Sequence, residues 1–152
     1  MYTGILHFHS LNKWVVLILA ILSLSNALMG WLGKKPYTGT SNKLSLYFMI
    51  SMHVQFLLGL ALFFFLSPII QAALSNMGAA MKEAPMRYWA VEHSFAGIFA
   101  IVMVTLGRVL AKKKSTDMAK HKTTVIFYLI TLIFIAVNIL FPLKFGRNLL
   151  PF

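Results

Sequence analysis

Four long apolar stretches separated by polar connections make up most of this chain. They cover roughly 11–32, 44–66, 88–110 and 123–141, each about 19–23 residues long. A helix needs about 20 apolar residues to cross the hydrocarbon core of a bilayer. Backbone N–H and C=O groups cannot be left unpaired in lipid, so each stretch is predicted to be a membrane-spanning helix. The connections GKKPYTGTSNK, SPIIQAALSNMGAAMKEAPMR and AKKKSTDMAKHK carry the helix breakers and the charge. Pro85 suits the first turn of the third span, where its missing N–H costs nothing. Ser115-Thr116-Asp117 reads as the cap of the fourth. The second connection is the longest, and part of it is expected on the membrane surface. Lys13, the apolar stretch after it and the SNA ending at Ala27 resemble a signal peptide; the stretch is read as a span.

Composition supports an integral membrane protein of one domain, residues 1–152. The chain is 59% hydrophobic and only 11% charged, with a mean hydropathy of +0.80. That is too little charge to cover a soluble domain. The predicted fold is all-α: an up-down-up-down four-helix bundle, with a duplicated helix hairpin as one route to it. The segment from His9-Ser10 to Lys34-Lys35 parallels the one from His93-Ser94 to the basic run Lys112–Lys114.

The net charge is +11, from 14 Lys and Arg against Glu83, Glu92 and Asp117. In a soluble protein this balance would suggest nucleic acid, but no nucleic-acid motif is present. The basic residues sit between the apolar stretches, where they signal topology and meet anionic lipid head groups. Lys34, Lys35 and Lys43 in the first connection, and Arg108, Lys112, Lys113, Lys114, Lys120 and Lys122 around the third, share one face of the bundle. The other face holds Lys13, Lys82, Arg87, Lys144 and Arg147. The richer face is expected to be cytoplasmic, with both termini outside the bacterial inner membrane, in the periplasm of a Gram-negative cell. Tyr88 and Trp89 would then mark the outer interface, Trp31 and Tyr37 the inner one. The chain has no cysteine, which excludes disulfides, Cys-ligated zinc, iron–sulfur clusters and covalently attached c-type haem.

Histidine placement carries the candidate chemistry. His9 is expected to open the first helix and His121 the fourth. His53 lies ten residues past Lys43, about 15 Å along a helix; His93 lies eight past Pro85, about 12 Å along. Taken singly, His7, His9 and His121 read as interface residues. His53 also fits an interhelical hydrogen bond to Gln55 or a serine, and Glu92 a simple interface charge. As a set the histidines divide by depth: His9 and His93 belong to the outer half, His53 and His121 to the inner half. Four helices packed at about 9 Å leave a diagonal of roughly 13 Å, room for a flat macrocycle between opposed imidazoles. Haem b needs no cysteine, only axial ligands.

The inner pair has a geometric difficulty, because His53 sits about 12 Å deeper than His121. One haem held by His93 with either His9 or His53 is simpler, and the outer pair, His9 with His93, is favoured. Arg87 and Lys13 are placed for the acidic groups of an outer haem; Arg108, Lys120 and Lys122 for an inner one. Each is also explained by topology alone. Gly59, Gly97, Gly107 and Ala100 leave room for a ring or for a neighbouring helix. Gln55 points about 200° away from His53, so it reads as a packing amide or a support behind a ligand.

At HFHSLNKW, SMHVQFLLGL, RYWAVEHSFAG and DMAKHK the chain resembles a family of small bacterial inner-membrane proteins labelled cytochrome B. The likeness covers nearly the whole chain and all four helix starts. It implies a four-helix membrane cytochrome with histidine-ligated haem b, and points to His9, His53, His93 and His121 as axial ligands. In plan the chain is also similar to four-helix di-haem b-type cytochromes.

The expected function is therefore electron transfer within or across the membrane through one or two bis-histidine haem b groups. A quinone is a further candidate ligand, with Glu92 or Gln55 near a quinol donor. The partners would be membrane lipids and other inner-membrane redox proteins, or further copies of the chain. Such a protein is a redox carrier or subunit rather than a stand-alone enzyme. The competing readings are a structural or assembly subunit of a larger complex and a proton relay through His53. No H-E-x-x-H or carboxylate cluster suggests a bare metal site.

Overall fold

The computed structural model describes residues 1–146; Arg147, counted above on the outer face, lies outside them. Helix α1 runs over Tyr2–Leu32. Helix α2, Gly39–Ala61, continues through a π-helical turn at Leu62–Leu66. Two short helices follow, α3 at Pro68–Ser75 and α4 at Met77–Ala80. A single rod then forms from α5 at Ala84–Arg87, a second π-helical turn at Tyr88–Glu92, and α6 at His93–Lys112. Helix α7, Asp117–Leu140, ends in a 3₁₀ turn at Phe141–Phe145. Four of these rods are long and apolar enough to cross a membrane, with mean hydropathies of 2.0–2.6. The chain is a multi-pass, all-helical bundle.

Local chemistry sets the helix ends. The Thr38 hydroxyl accepts from the Ser41 amide at 3.4 Å, capping α2. The Thr116 hydroxyl accepts from the Ala119 amide at 3.2 Å, so the predicted cap of the last span is real and Thr116 supplies it. Pro85 lies in the first turn of α5. Lys34 takes a positive φ of 51° in the turn after α1.

The rods extend beyond the apolar stretches. Helix α1 starts at Tyr2 rather than near Leu11. Hydropathy marks where lipid begins, whereas backbone hydrogen bonding carries on through interfacial residues such as His7 and Ser10. His9 therefore does not open its helix: it lies about two turns inside. His121 likewise sits one turn past the start of α7.

The core runs down the bundle axis through Val16, Ala20, Phe48, Met52, Ala100, Ile101, Val104, Tyr128 and Ile135. Small residues allow the closest approaches: a Cβ on Gly107 would run into Phe127 and Tyr128 of α7, so this glycine serves helix packing. Ala73 of α3, Ala80 of α4 and Ala90 of the second π-helical turn form a smaller core at the terminal end. At the lysine-rich end, Arg108 is 6% exposed. Its guanidinium donates to the Asn42 carbonyl at 3.0 Å and to Asn42 Oδ1 at 3.1 Å, tying α6 to α2. The Tyr128 and Ser45 hydroxyls are hydrogen-bonded to each other, and the phenol also reaches the Ser45 carbonyl.

Candidate functional site

The end of the bundle that carries Tyr2 and Gly146 holds a cavity of about 580 Å³. This lies within the range of about 300–1,000 Å³ usual for cofactor and ligand sites. It is lined by the buried Val16, Met52, Ala100, Ile135 and Ser67 and by the more exposed Tyr2, His7 and Leu143. Both π-helical turns border it, at Leu62, Phe63 and Phe64 on one side and Trp89 on the other. Such turns widen a helix locally and recur at functional sites.

His9 and His93 line this cavity from α1 and α6. Their ring centroids are 6.1 Å apart and the rings meet at 61°. Two imidazoles sharing one metal ion need roughly 6 Å between ring centres, from a metal–nitrogen bond of about 2 Å on each side and the distance from nitrogen to ring centre. The separation fits a shared iron. Two glycines leave space. A Cβ on Gly59 would stand 3.4 Å from His9 Cε1, so the ring lies against the backbone of α2. A Cβ on Gly97 would meet nothing within 4 Å, because that position opens into the cavity.

Aromatic packing orients His93. Its ring centroid lies 5.1 Å from that of Trp89 and 5.8 Å from that of Tyr88. Tyr88 stacks on Phe141 at 4.9 Å, and its hydroxyl donates to the Asn138 carbonyl at 3.4 Å. His9 is placed by its backbone. Gln55 Nε2 donates to the His9 carbonyl at 3.0 Å. Gln55 Oε1 accepts from Asn12 Nδ2 at 2.8 Å, and the same Asn12 nitrogen reaches the Ser51 carbonyl at 3.1 Å. This amide latch fixes the rotation of α1 against α2 one turn from the glycine that receives the ring.

The other predicted residues lie elsewhere. His53 does not line this cavity. Its Nδ1–H donates to the Met49 carbonyl of its own helix at 2.8 Å, not to Gln55 or a serine. His121 is 1% exposed and borders a separate cavity of about 220 Å³ at the lysine-rich end. It packs so closely on Gly30 that any Cβ there would overlap the ring. Its Nε2 approaches the Pro36 carbonyl at 3.4 Å, and its ring lies 5.0 Å from Tyr37. Burial pushes the Tyr37 phenol above its ordinary value. No ring contact joins His53 to His121 among the described residues. Arg87 is held by Glu92 at 2.8 Å and by the Met81 carbonyl at 3.2 Å, and does not line the His9–His93 cavity. Arg108 is engaged by Asn42, as described.

One cavity residue and one residue of the amide latch escaped the sequence reading. Asn138 of α7 lines the cavity, and its buried Oδ1 has no hydrogen-bond partner among the described residues. An asparagine inside an apolar stretch was the available signal. Asn12 was the other miss, since its partners lie on a different helix. Among the described residues no group of three or more His, Cys, Asp or Glu gathers as it would around a bare metal ion. No family model, curated protein or solved structure matches the chain.

Proposed function

We propose that the protein is a membrane b-type cytochrome, with His9 and His93 as the axial pair of one haem b in the terminal-end cavity. The observation that carries this reading is the meeting of two imidazoles from different helices across a largely apolar cavity, at the separation a shared iron requires. Haem b supplies reversible one-electron chemistry when bound. The chain's own residues do the rest. Trp89 and Tyr88 hold the His93 ring, and the Asn12–Gln55 latch holds the backbone that bears His9. Phe56, Phe63 and Ile98 exclude water, and Gly97 leaves the space a flat ring needs.

The partners in this reading are other inner-membrane redox proteins, and the lysine-rich face is cytoplasmic. A second haem at His53 and His121 is less well supported. Those rings lie in different environments, and His121 is already packed on Gly30.

The test is a dithionite-reduced minus oxidised spectrum of the detergent-purified protein, with haem counted per chain as the pyridine haemochrome. One haem per chain is expected, lost in His9→Ala and in His93→Ala and retained in His53→Ala. Gly97→Phe should fill the cavity and abolish haem uptake while the helical content stays unchanged. A wild-type protein expressed with ample haem yet showing no bands would overturn the proposal and favour a structural or assembly subunit.

A further inference from the structure

We infer that the terminal-end cavity opens sideways into the bilayer between α2 and α6, and that His53, at the edge of this opening, receives a hydroxyl of a lipid-soluble hydroquinone. The choice of a hydroquinone rests on the haem reading, because a haem inside a membrane needs a donor that travels in the membrane. The geometry of the opening stands apart from that reading.

Register is the first argument. The contact of Arg108 with Asn42 fixes α6 against α2 at the lysine-rich end. Eleven residues on from Asn42 along α2 is His53, and ten residues back from Arg108 along α6 is Ile98. Both lie about 15–17 Å from that contact, so they stand at one level of the bundle. This level is close to the middle of both rods, Gly39–Leu66 and Ala84–Lys112, and so near mid-membrane. Ile98 lines the cavity and is 50% exposed, so the cavity reaches the outer surface of the bundle here. Phe56 and Leu60 line it from α2. They follow His53 by three and seven residues and share its side of the helix.

Hydrogen bonding is the second. His53 is half-buried, and its Nδ1 is bonded to the Met49 carbonyl at 2.8 Å. A carbonyl only accepts, so Nδ1 carries the hydrogen. In the neutral ring, the form lipid tolerates, Nε2 keeps a lone pair. Nε2 has no partner among the described residues and is not sealed inside the protein. An acceptor open to lipid at mid-membrane has no water to satisfy it and calls for a donor that arrives through the bilayer. A second copy of the chain brings none at this position, since two such rings would meet acceptor to acceptor. A hydroquinone brings an O–H on an apolar ring, and Ile98, Phe56 and Leu60 give that ring an apolar bed. An oxidised quinone offers acceptors alone, so the site favours the reduced form, the one with electrons to give. Glu92 and Gln55, the groups the sequence placed beside a quinol, are engaged elsewhere: Glu92 by Arg87, Gln55 by His9 and Asn12.

The experiment measures binding of a tritiated decyl-benzohydroquinone, and of its dimethyl ether, to immobilised detergent-purified protein kept under dithionite. Wild type, His53→Leu and His53→Gln are compared in the same detergent, so that partition into micelles cancels. Wild type should bind the hydroquinone roughly fivefold or more tighter than the ether, the scale of one hydrogen bond. His53→Leu should bind the two alike, and His53→Gln, which keeps an acceptor, should keep part of the preference. Equal affinities in wild type, or a preference that survives in His53→Leu, would overturn the inference; should His53→Leu fail to fold, His53→Phe takes its place. Haem is counted in the same samples. Haem without a hydroquinone preference would overturn this inference alone, whereas a His53-dependent preference without haem would uphold the site and overturn the haem reading.

Discussion

A methyl group added at Gly30 would overlap the His121 ring, whereas one added at Gly97 would meet nothing within 4 Å. Gly30→Ala should therefore destabilise the protein by about 1–3 kcal/mol, the usual cost of overpacking. Gly97→Ala should change it by less than about 0.5 kcal/mol. Denaturation of the two variants in the same detergent checks the contrast; equal losses would refute it. Gln55→Leu is expected to cost about 1–2 kcal/mol, because it strands the His9 carbonyl and removes the acceptor of Asn12. Under the proposed haem reading its spectrum should also broaden as the α1 backbone loosens, and an unaltered spectrum and stability would count against the latch. At this scale, residue type and depth led the sequence reading to favour His9 with His93 among four histidines, and the rings of these two lie 6.1 Å apart. Type and depth were not enough to show what Gln55 does. Its direction away from His53 followed from helix geometry, but its partners His9 and Asn12 are on another helix.

Among the elements, the clamp between α2 and α6 depends on one planar group. Both bonds from Arg108 go to Asn42, one to its backbone and one to its side chain. Arg108→Ala should lower stability by about 2–3 kcal/mol. Arg108→Lys should recover only part of this, because an ammonium cannot reproduce the two-pronged contact. Full recovery in a denaturation series would show that charge alone matters. The π-helical turns are the elements no periodicity predicted. Tyr88–Glu92 and Leu62–Leu66 read as ordinary apolar or interfacial helix, and only packing around the cavity widens them. Helix starts were misplaced for a related reason: apolar character begins at Leu11, but hydrogen bonding begins nine residues earlier.

For the whole molecule, the distribution of lysines predicts an orientation. With the lysine-rich face in the cytoplasm, alkaline phosphatase fused after the last residue should be active. The same enzyme inserted in the connection at 33–38 should be inactive. The reverse pattern would invert the bundle and place the His9–His93 cavity on the cytoplasmic side. The number of spans and the all-helical class were determined by the sequence alone. Transfer into lipid is a sum over consecutive residues, and a span can be read without knowing its neighbours. Which histidines face each other was decided only by the tertiary structure. That outcome depends on how far each helix is rotated about its axis and how closely it can approach the next. Gly59 and Gln55 set both for α1, and Gly30 sets them for α7 at the far end. A rotation of one residue, about 100°, would separate His9 from His93 without changing a single apolar stretch.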